Sequence, residues 1–122
     1  IAQCLVGSEM CIRDRYNMRE KTSWVSFSIE YLQYMKNADP KAELGLNTVD
    51  VNDNTYNMVQ SLKTSENTPF LSISTSCLNN ALVQRCKSEN IPIGVWVCDT
   101  RNEVFELDPY IAIVTTNQVL LD

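Results

Sequence analysis

Strand-like and helix-like segments alternate along most of the chain, and no other feature constrains the fold as tightly. Five short runs are rich in β-branched, aromatic and apolar residues: Trp24–Phe27, Glu43–Leu46, Phe70–Ile73, Ile93–Val97 and Ile111–Val114. Four helical stretches separate them. In the first, Ile29, Leu32 and Met35 recur at three-residue steps, and Asp39-Pro40 ends the helix because the residue before proline avoids the α region. In the second, Asp53 or Asn54 is the expected cap, and Tyr56, Val59 and Leu62 share one face. In the third, Leu78, Ala81, Leu82 and Cys86 form an apolar stripe behind an expected Ser76 cap. The fourth opens with Thr100-Arg101-Asn102-Glu103, a T-x-x-E capping box, buries Val104 and Leu107, and stops at Asp108-Pro109.

A helix between successive strands means parallel pairing, because parallel strands need a crossover connection. Strand starts recur roughly every twenty-odd residues, as βα units require. A doubly wound sheet and a slice of a (β/α)8 barrel both fit this pattern. Length favours the slice: the chain has 122 residues, and a complete barrel takes about 250.

The first fifteen residues stand apart. Ile1–Arg15 reads IAQCLVGSEMCIRDR and sustains neither a period of 2 nor one of 3.6. Its basic residues follow its apolar portion, which is the wrong order for a signal peptide. The string resembles the conceptual translation of a sequencing adapter. On that reading residues 1–15 are a non-native tail, residues 16–122 carry the fold, and a natural N-terminal portion is missing. The charges of Glu9, Arg13, Asp14 and Arg15 cancel, so the net charge of -5 resides on the remainder.

Composition excludes several kinds of chemistry. There is no histidine, hence no histidine base, nucleophile or metal ligand. Three glycines are too few for a phosphate-cradling loop. Ten Lys and Arg against a net charge of -5, with no basic cluster, disfavour nucleic acid as a partner. The five cysteines contain no C-x-x-C pair, so zinc and a redox centre are both disfavoured. They read as reduced thiols in an apolar interior, which favours a reducing compartment such as the cytoplasm. Asp50 and Asp53 sit together after a strand, and Asp99 follows another; solvated capping is the simpler role for each, and no metal ligand is assigned.

The string Ile91-Pro92-Ile93-Gly94-Val95-Trp96-Val97-Cys98-Asp99-Thr100 is similar to the late motif of glycerophosphodiester phosphodiesterases. In that family a hydrophobic strand ending V-W-T-V-N precedes a short helix and a last strand ending near T-D. The last strand here is Ile111-Ala112-Ile113-Val114-Thr115-Thr116. Upstream, Val25-Ser26-Phe27 resembles the S-F that ends a middle barrel strand, followed by a helix, a proline and the strand at Leu44-Gly45-Leu46. The resemblance spans residues 22 to about 118. Two departures stand out: T-V-N is replaced by Val97-Cys98-Asp99, and T-D by Thr115-Thr116-Asn117. The family's H-R-G, E-x-D, second histidine and E-x-K would all lie before this segment.

The resemblance implies the C-terminal half of a (β/α)8 barrel, a TIM barrel. It implies a phosphoric diester hydrolase that releases glycerol 3-phosphate and an alcohol from a glycerophosphodiester, in lipid and glycerol metabolism. Two histidines and a divalent cation, calcium or magnesium, would serve the full-length enzyme; neither catalytic groups nor metal ligands fall on this chain, which is expected to be inactive alone. Barrel sites lie at the C-terminal ends of the strands, so Ser26, Phe27 and Trp96 are the expected substrate-binding residues. The implied partners are the small-molecule glycerophosphodiester and the N-terminal half of the same chain. The alternative is a small non-enzymatic α/β ligand-binding module. A receiver-like version of it fits poorly, because the early strand ends Ser26-Phe27-Ser28 where a phosphoacceptor aspartate is needed. The barrel reading also predicts an open sheet with helices on one face and apolar side chains exposed on the other.

Overall fold

The structure is a computed structural model that describes residues 13–18, 20, 22–100, 102–103 and 106–117. Five strands form one all-parallel sheet: β1 (Ser23–Ser26), β2 (Glu43–Thr48), β3 (Phe70–Ser74), β4 (Ile93–Trp96) and β5 (Ile111–Thr115). Their spatial order is their chain order, β1-β2-β3-β4-β5. A doubly wound sheet requires a point where strand order reverses, and these five strands contain none. Helices α1 (Ile29–Ala38), α2 (Asp53–Ser61) and α3 (Asn80–Glu89) fill the first three crossovers. In the fourth, Asn102 and Glu103 are helical. No helix among the described residues is long and apolar enough to cross a membrane.

The helices begin and end for local reasons. Ser28 caps α1 by accepting from the Tyr31 amide at 3.2 Å. Asp39 ends it in an extended conformation before Pro40, as the proline demands. The cap of α2 is Asn52 rather than Asp53 or Asn54. Its side chain accepts from the amides of Asn54 and Thr55, and the Thr55 hydroxyl accepts from the Asn52 amide, closing a capping box. The cap of α3 is Asn79, not Ser76. Ser76 lies in the separate 3-10 turn Thr75–Cys77 that precedes the helix. On this helix Leu82, Val83 and Cys86 are buried while Ala81, expected in the apolar stripe, is exposed. The Thr100 hydroxyl accepts from the Glu103 amide at 3.2 Å, as a T-x-x-E box requires, but Glu103 reaches back to the Asp99 amide instead of that of Thr100. Leu107 packs against the core; Val104 lies outside the described residues.

One core holds the layers together. It joins Leu32 and Met35 of α1, Tyr56 and Val59 of α2, and Leu82, Val83 and Cys86 of α3 to six strand residues: Leu44, Leu46, Leu71, Ile73, Ile93 and Val95. Those six are related by parallel register and by the two-residue step of a strand. They therefore occupy one face, and all three helices pack on it. Fully burying a side chain of this size contributes about 1.5–3 kcal/mol. The expected segregation of helices to one face is observed.

The sequence reading expects exposed apolar side chains across the opposite face, and the centre of that face is instead covered. Gly45, Phe70, Ser72 and Gly94 on it are buried. Gly45 pairs with Phe70 across β2 and β3, and the Phe70 ring lies directly on the glycine. A Cβ on Gly94 would stand 3.6 Å from the same ring and 3.3 Å from the Ile113 Cβ. One aromatic ring occupies the space above two glycines, so the centre of this face is closed. Its flanks are open at Val25 and Phe27, both exposed.

Residues 1–12 of the expected tail lie outside the described residues. Arg13 does not hang free. Only 5% of it is exposed, its guanidinium meets the buried Asp39 carboxylate at 2.8 Å, and it lies 5.9 Å over the Trp24 ring.

Candidate functional site

The strands run parallel, so their C-terminal ends gather on one side, where α/β proteins place their ligand sites. Phe27 follows β1 and Trp96 ends β4. Two strands separate them, and three strand spacings amount to about 14 Å in a flat sheet. Their ring centroids nonetheless lie 6.2 Å apart, edge to face at 80°. The two rings reach toward each other across β2 and β3, on the face opposite the helices. Phe27 stays 63% exposed, and Trp96 is half-buried.

Alternation fixes what accompanies this pair on the face. Asn47, Ser72 and Gly94 form one cross-strand row, and Ser74, Trp96 and Thr115 form the next. Two polar atoms in these rows are buried without a hydrogen-bond partner: the Asn47 Oδ1 and the Trp96 Nε1. Leaving such a group unpaired costs about 1–3 kcal/mol. The third, the Trp24 Nε1, belongs to the helix-covered side, where Trp24 packs on the core.

The structure brings together Phe27 and Trp96 but not Ser26. Ser26 stands in register with Leu46 on the alternate face, and its hydroxyl accepts from the Ser28 amide at 3.0 Å. It shapes the turn that leads to the α1 cap. Asn47 and Ser72 went unnoticed in the sequence. The signal available was a polar residue at every second position of an otherwise apolar strand.

The acidic residues lie elsewhere. The Asp53 carboxylate faces Arg85 at 3.4 Å across an exposed pair. The backbone of Asp50 is tied to the Thr48 hydroxyl. Asp99 accepts from the Asn117 amide at 2.8 Å and the Thr116 hydroxyl at 3.1 Å, joining the loop after β4 to the end of β5. Among the described residues no three His, Cys, Asp or Glu side chains form a group that could hold a metal ion.

A concavity of about 500 Å³ lies between the starts of α2 and α3, lined by Asp53, Tyr56, Cys77, Asn79 and Arg85 among others. Arg85 stacks 4.4 Å over the Tyr56 ring and is ion-paired to both Asp53 and Glu89. Its charge is already matched. Burial, and then the neighbouring Cys86, raises the pKa of Tyr56. Cys86 itself is pushed up to about 11, first by burial and then by Glu89. Burial likewise raises Cys98, with Glu103 and Asp99 adding to it. Neither is a nucleophile near neutral pH. Cys77, Cys86 and Cys98 are free thiols.

No known protein family matches this chain, and no curated protein resembles it significantly.

Proposed function

We propose that this chain is the C-terminal wall of a (β/α)8 barrel hydrolase of the glycerophosphodiester phosphodiesterase type. The observation that carries the reading is the joining of Phe27 and Trp96 at the C-terminal ends of a sequentially ordered parallel sheet. These are the two aromatic residues that the motif resemblance singles out for the substrate mouth. Helices on a single face and a strand order without reversal support a barrel slice over a doubly wound domain.

In this reading the chain shapes the mouth. The two rings pack on the carbon skeleton of the substrate. Trp96 fixes the Phe27 ring by an edge contact, and the Ser26 turn sets where Phe27 leaves β1. The acid–base groups and the carboxylates of the cation site belong to chain N-terminal to these residues. Water then displaces the alcohol at phosphorus, leaving glycerol 3-phosphate.

The test is the natural coding sequence upstream, together with activity. Upstream sequence is expected to contain H-R-G followed by E-x-D. A chain extended through those motifs is expected to hydrolyse glycerophosphocholine with added calcium or magnesium, and the 122-residue chain is not. Upstream sequence without the motifs, or metal-dependent turnover by the 122-residue chain alone, overturns the proposal.

A further inference from the structure

The Phe27–Trp96 contact joins rings carried at the ends of two strands that are not neighbours. Its geometry depends on where the chain goes as it leaves each strand. After β1 the direction is set locally, by the Ser28 amide donating to the Ser26 hydroxyl and by the Ser28 cap of α1. After β4 it is set across the sheet. Trp96 is the last residue of β4 and stands in register with Thr115. Beyond it the Cys98 amide donates to the Thr115 carbonyl at 3.0 Å. One carboxylate oxygen then closes the connection: the Asp99 Oδ1 accepts from the Asn117 amide at 2.8 Å and from the Thr116 hydroxyl at 3.1 Å. The Asp99 amide donates in turn to the Glu103 carboxylate at 3.0 Å.

These bonds fix more than Asp99 itself. Val97, Cys98 and Asp99 span at most about 11 Å when fully extended. The Trp96 end of that short segment is held in the β-ladder, its middle by the Cys98 side chain in the core, and its far end by the carboxylate. A hydrogen bond to an ionised acceptor is roughly twice as strong as a neutral one. The Asp side chain is short, so its bonds form only when the loop follows β5. The partners lie 17 and 18 residues along the chain. The two stretches that depart from the family motif, Val97-Cys98-Asp99 and Thr115-Thr116-Asn117, are the two sides of this clasp.

We infer that Asp99 is a positioning residue for Trp96: by clasping the loop after β4 to the end of β5 it sets how the Trp96 ring meets Phe27. It acts through Trp96 and is not a catalytic group. The inference rests on the proposed hydrolase reading only for the claim that the ring pair forms the substrate mouth. The clasp itself stands on its hydrogen bonds to β5 and to the residues that follow it.

The experiment compares Asp99→Ala and Asp99→Asn by NMR in the labelled 122-residue chain. Asn keeps an acceptor oxygen at the same place, and Ala has none. The readouts are the NOEs between the Phe27 and Trp96 rings and the exchange rate of the Asn117 amide. Asp99→Ala is expected to lose the ring NOEs and to exchange the Asn117 amide about tenfold faster. Asp99→Asn is expected to restore both. Thermal melts establish folding; should Asp99→Ala not fold, Thr116→Val, which removes one of the two donors, decides by the same readouts. Unchanged ring NOEs in a folded Asp99→Ala chain, with only a lower melting temperature, would make the clasp purely structural and overturn the inference. Loss of the NOEs in Asp99→Asn as complete as in Asp99→Ala overturns it as well. Upstream sequence without H-R-G and E-x-D sinks the hydrolase reading and leaves the clasp standing. Unchanged ring NOEs do the reverse.

Discussion

The two faces of the sheet are made by the same strands and follow opposite rules. Toward the helices, Leu44, Leu46, Leu71, Ile73, Ile93 and Val95 are all at most 2% exposed and interlock with three helices. Toward the other side, the intervening positions hold Gly45, Asn47, Phe70, Ser72, Gly94 and Trp96. The first face is filled by branched aliphatics of similar size. The second mixes glycines, two large rings and unpaired polar atoms. The first face is filled evenly and the second is not.

The largest expected effect tests the packed face. Leu71 is fully buried at the centre of β3, so Leu71→Ala is expected to cost about 2–5 kcal/mol in chemical denaturation. A loss below about 1 kcal/mol would mean the helix-covered face is not the main source of stability.

Overfilling tests the other face. Gly45→Val drives a side chain into the ring atoms of Phe70 and is expected to cost about 1–3 kcal/mol. Phe70→Ala in the same background should recover part of that loss, since it removes the obstacle. Additivity of the two substitutions would break the claim that the ring is seated on the glycine.

Alkaline pH probes the packed face through Cys86. Its folded pKa is raised to about 11 from an ordinary 9.0. Below pH 9 the thiol is protonated in both states and the stabilisation is intact. Between about pH 9 and 11 the unfolded chain loses the proton and the folded chain keeps it, so stability falls as pH rises. The loss approaches roughly 2–3 kcal/mol at most. Urea titrations at pH 8 and pH 10.5 measure it, and Cys86→Ala is expected to flatten the dependence. The tyrosines Tyr56 and Tyr110, also raised by burial, contribute a slope in the same direction that survives in the variant.

The smallest effect has the opposite sign. Asn47→Leu replaces an unpaired buried carbonyl by an apolar group of similar size, and is expected to raise stability by about 1 kcal/mol. A loss of stability instead would show that the Asn47 side chain is satisfied in the folded protein.

The first face was legible in the sequence and the second was not. Runs of β-branched, aromatic and apolar residues located all five strands, and apolar stripes at helical spacing located the three described helices, because the residues that fill a core are the ones such patterns record. Caps were less legible. Asn52 and Asn79 each stand beside other good capping residues, and which one acts depends on where the chain leaves the sheet. The seat of Phe70 on Gly45 depends on cross-strand register, which no local pattern records. Phe27 and Trp96 were visible as candidates one at a time; their meeting depends on strand order. Asn47 was hidden because one polar residue near a strand end looks like the start of a loop.

The outer strands differ in one further respect. Register between β4 and β5 shifts at Ile93/Gly94, so that Ile93 faces Ile111 while Gly94 faces Ile113. Ala112 is thereby an unmatched residue in the strand on that side, a bulge that spoils it as a template for another chain. The pairing of β1 with β2 is regular over its whole length. Of the two outermost described strands, β1 therefore offers the more regular template for a further strand.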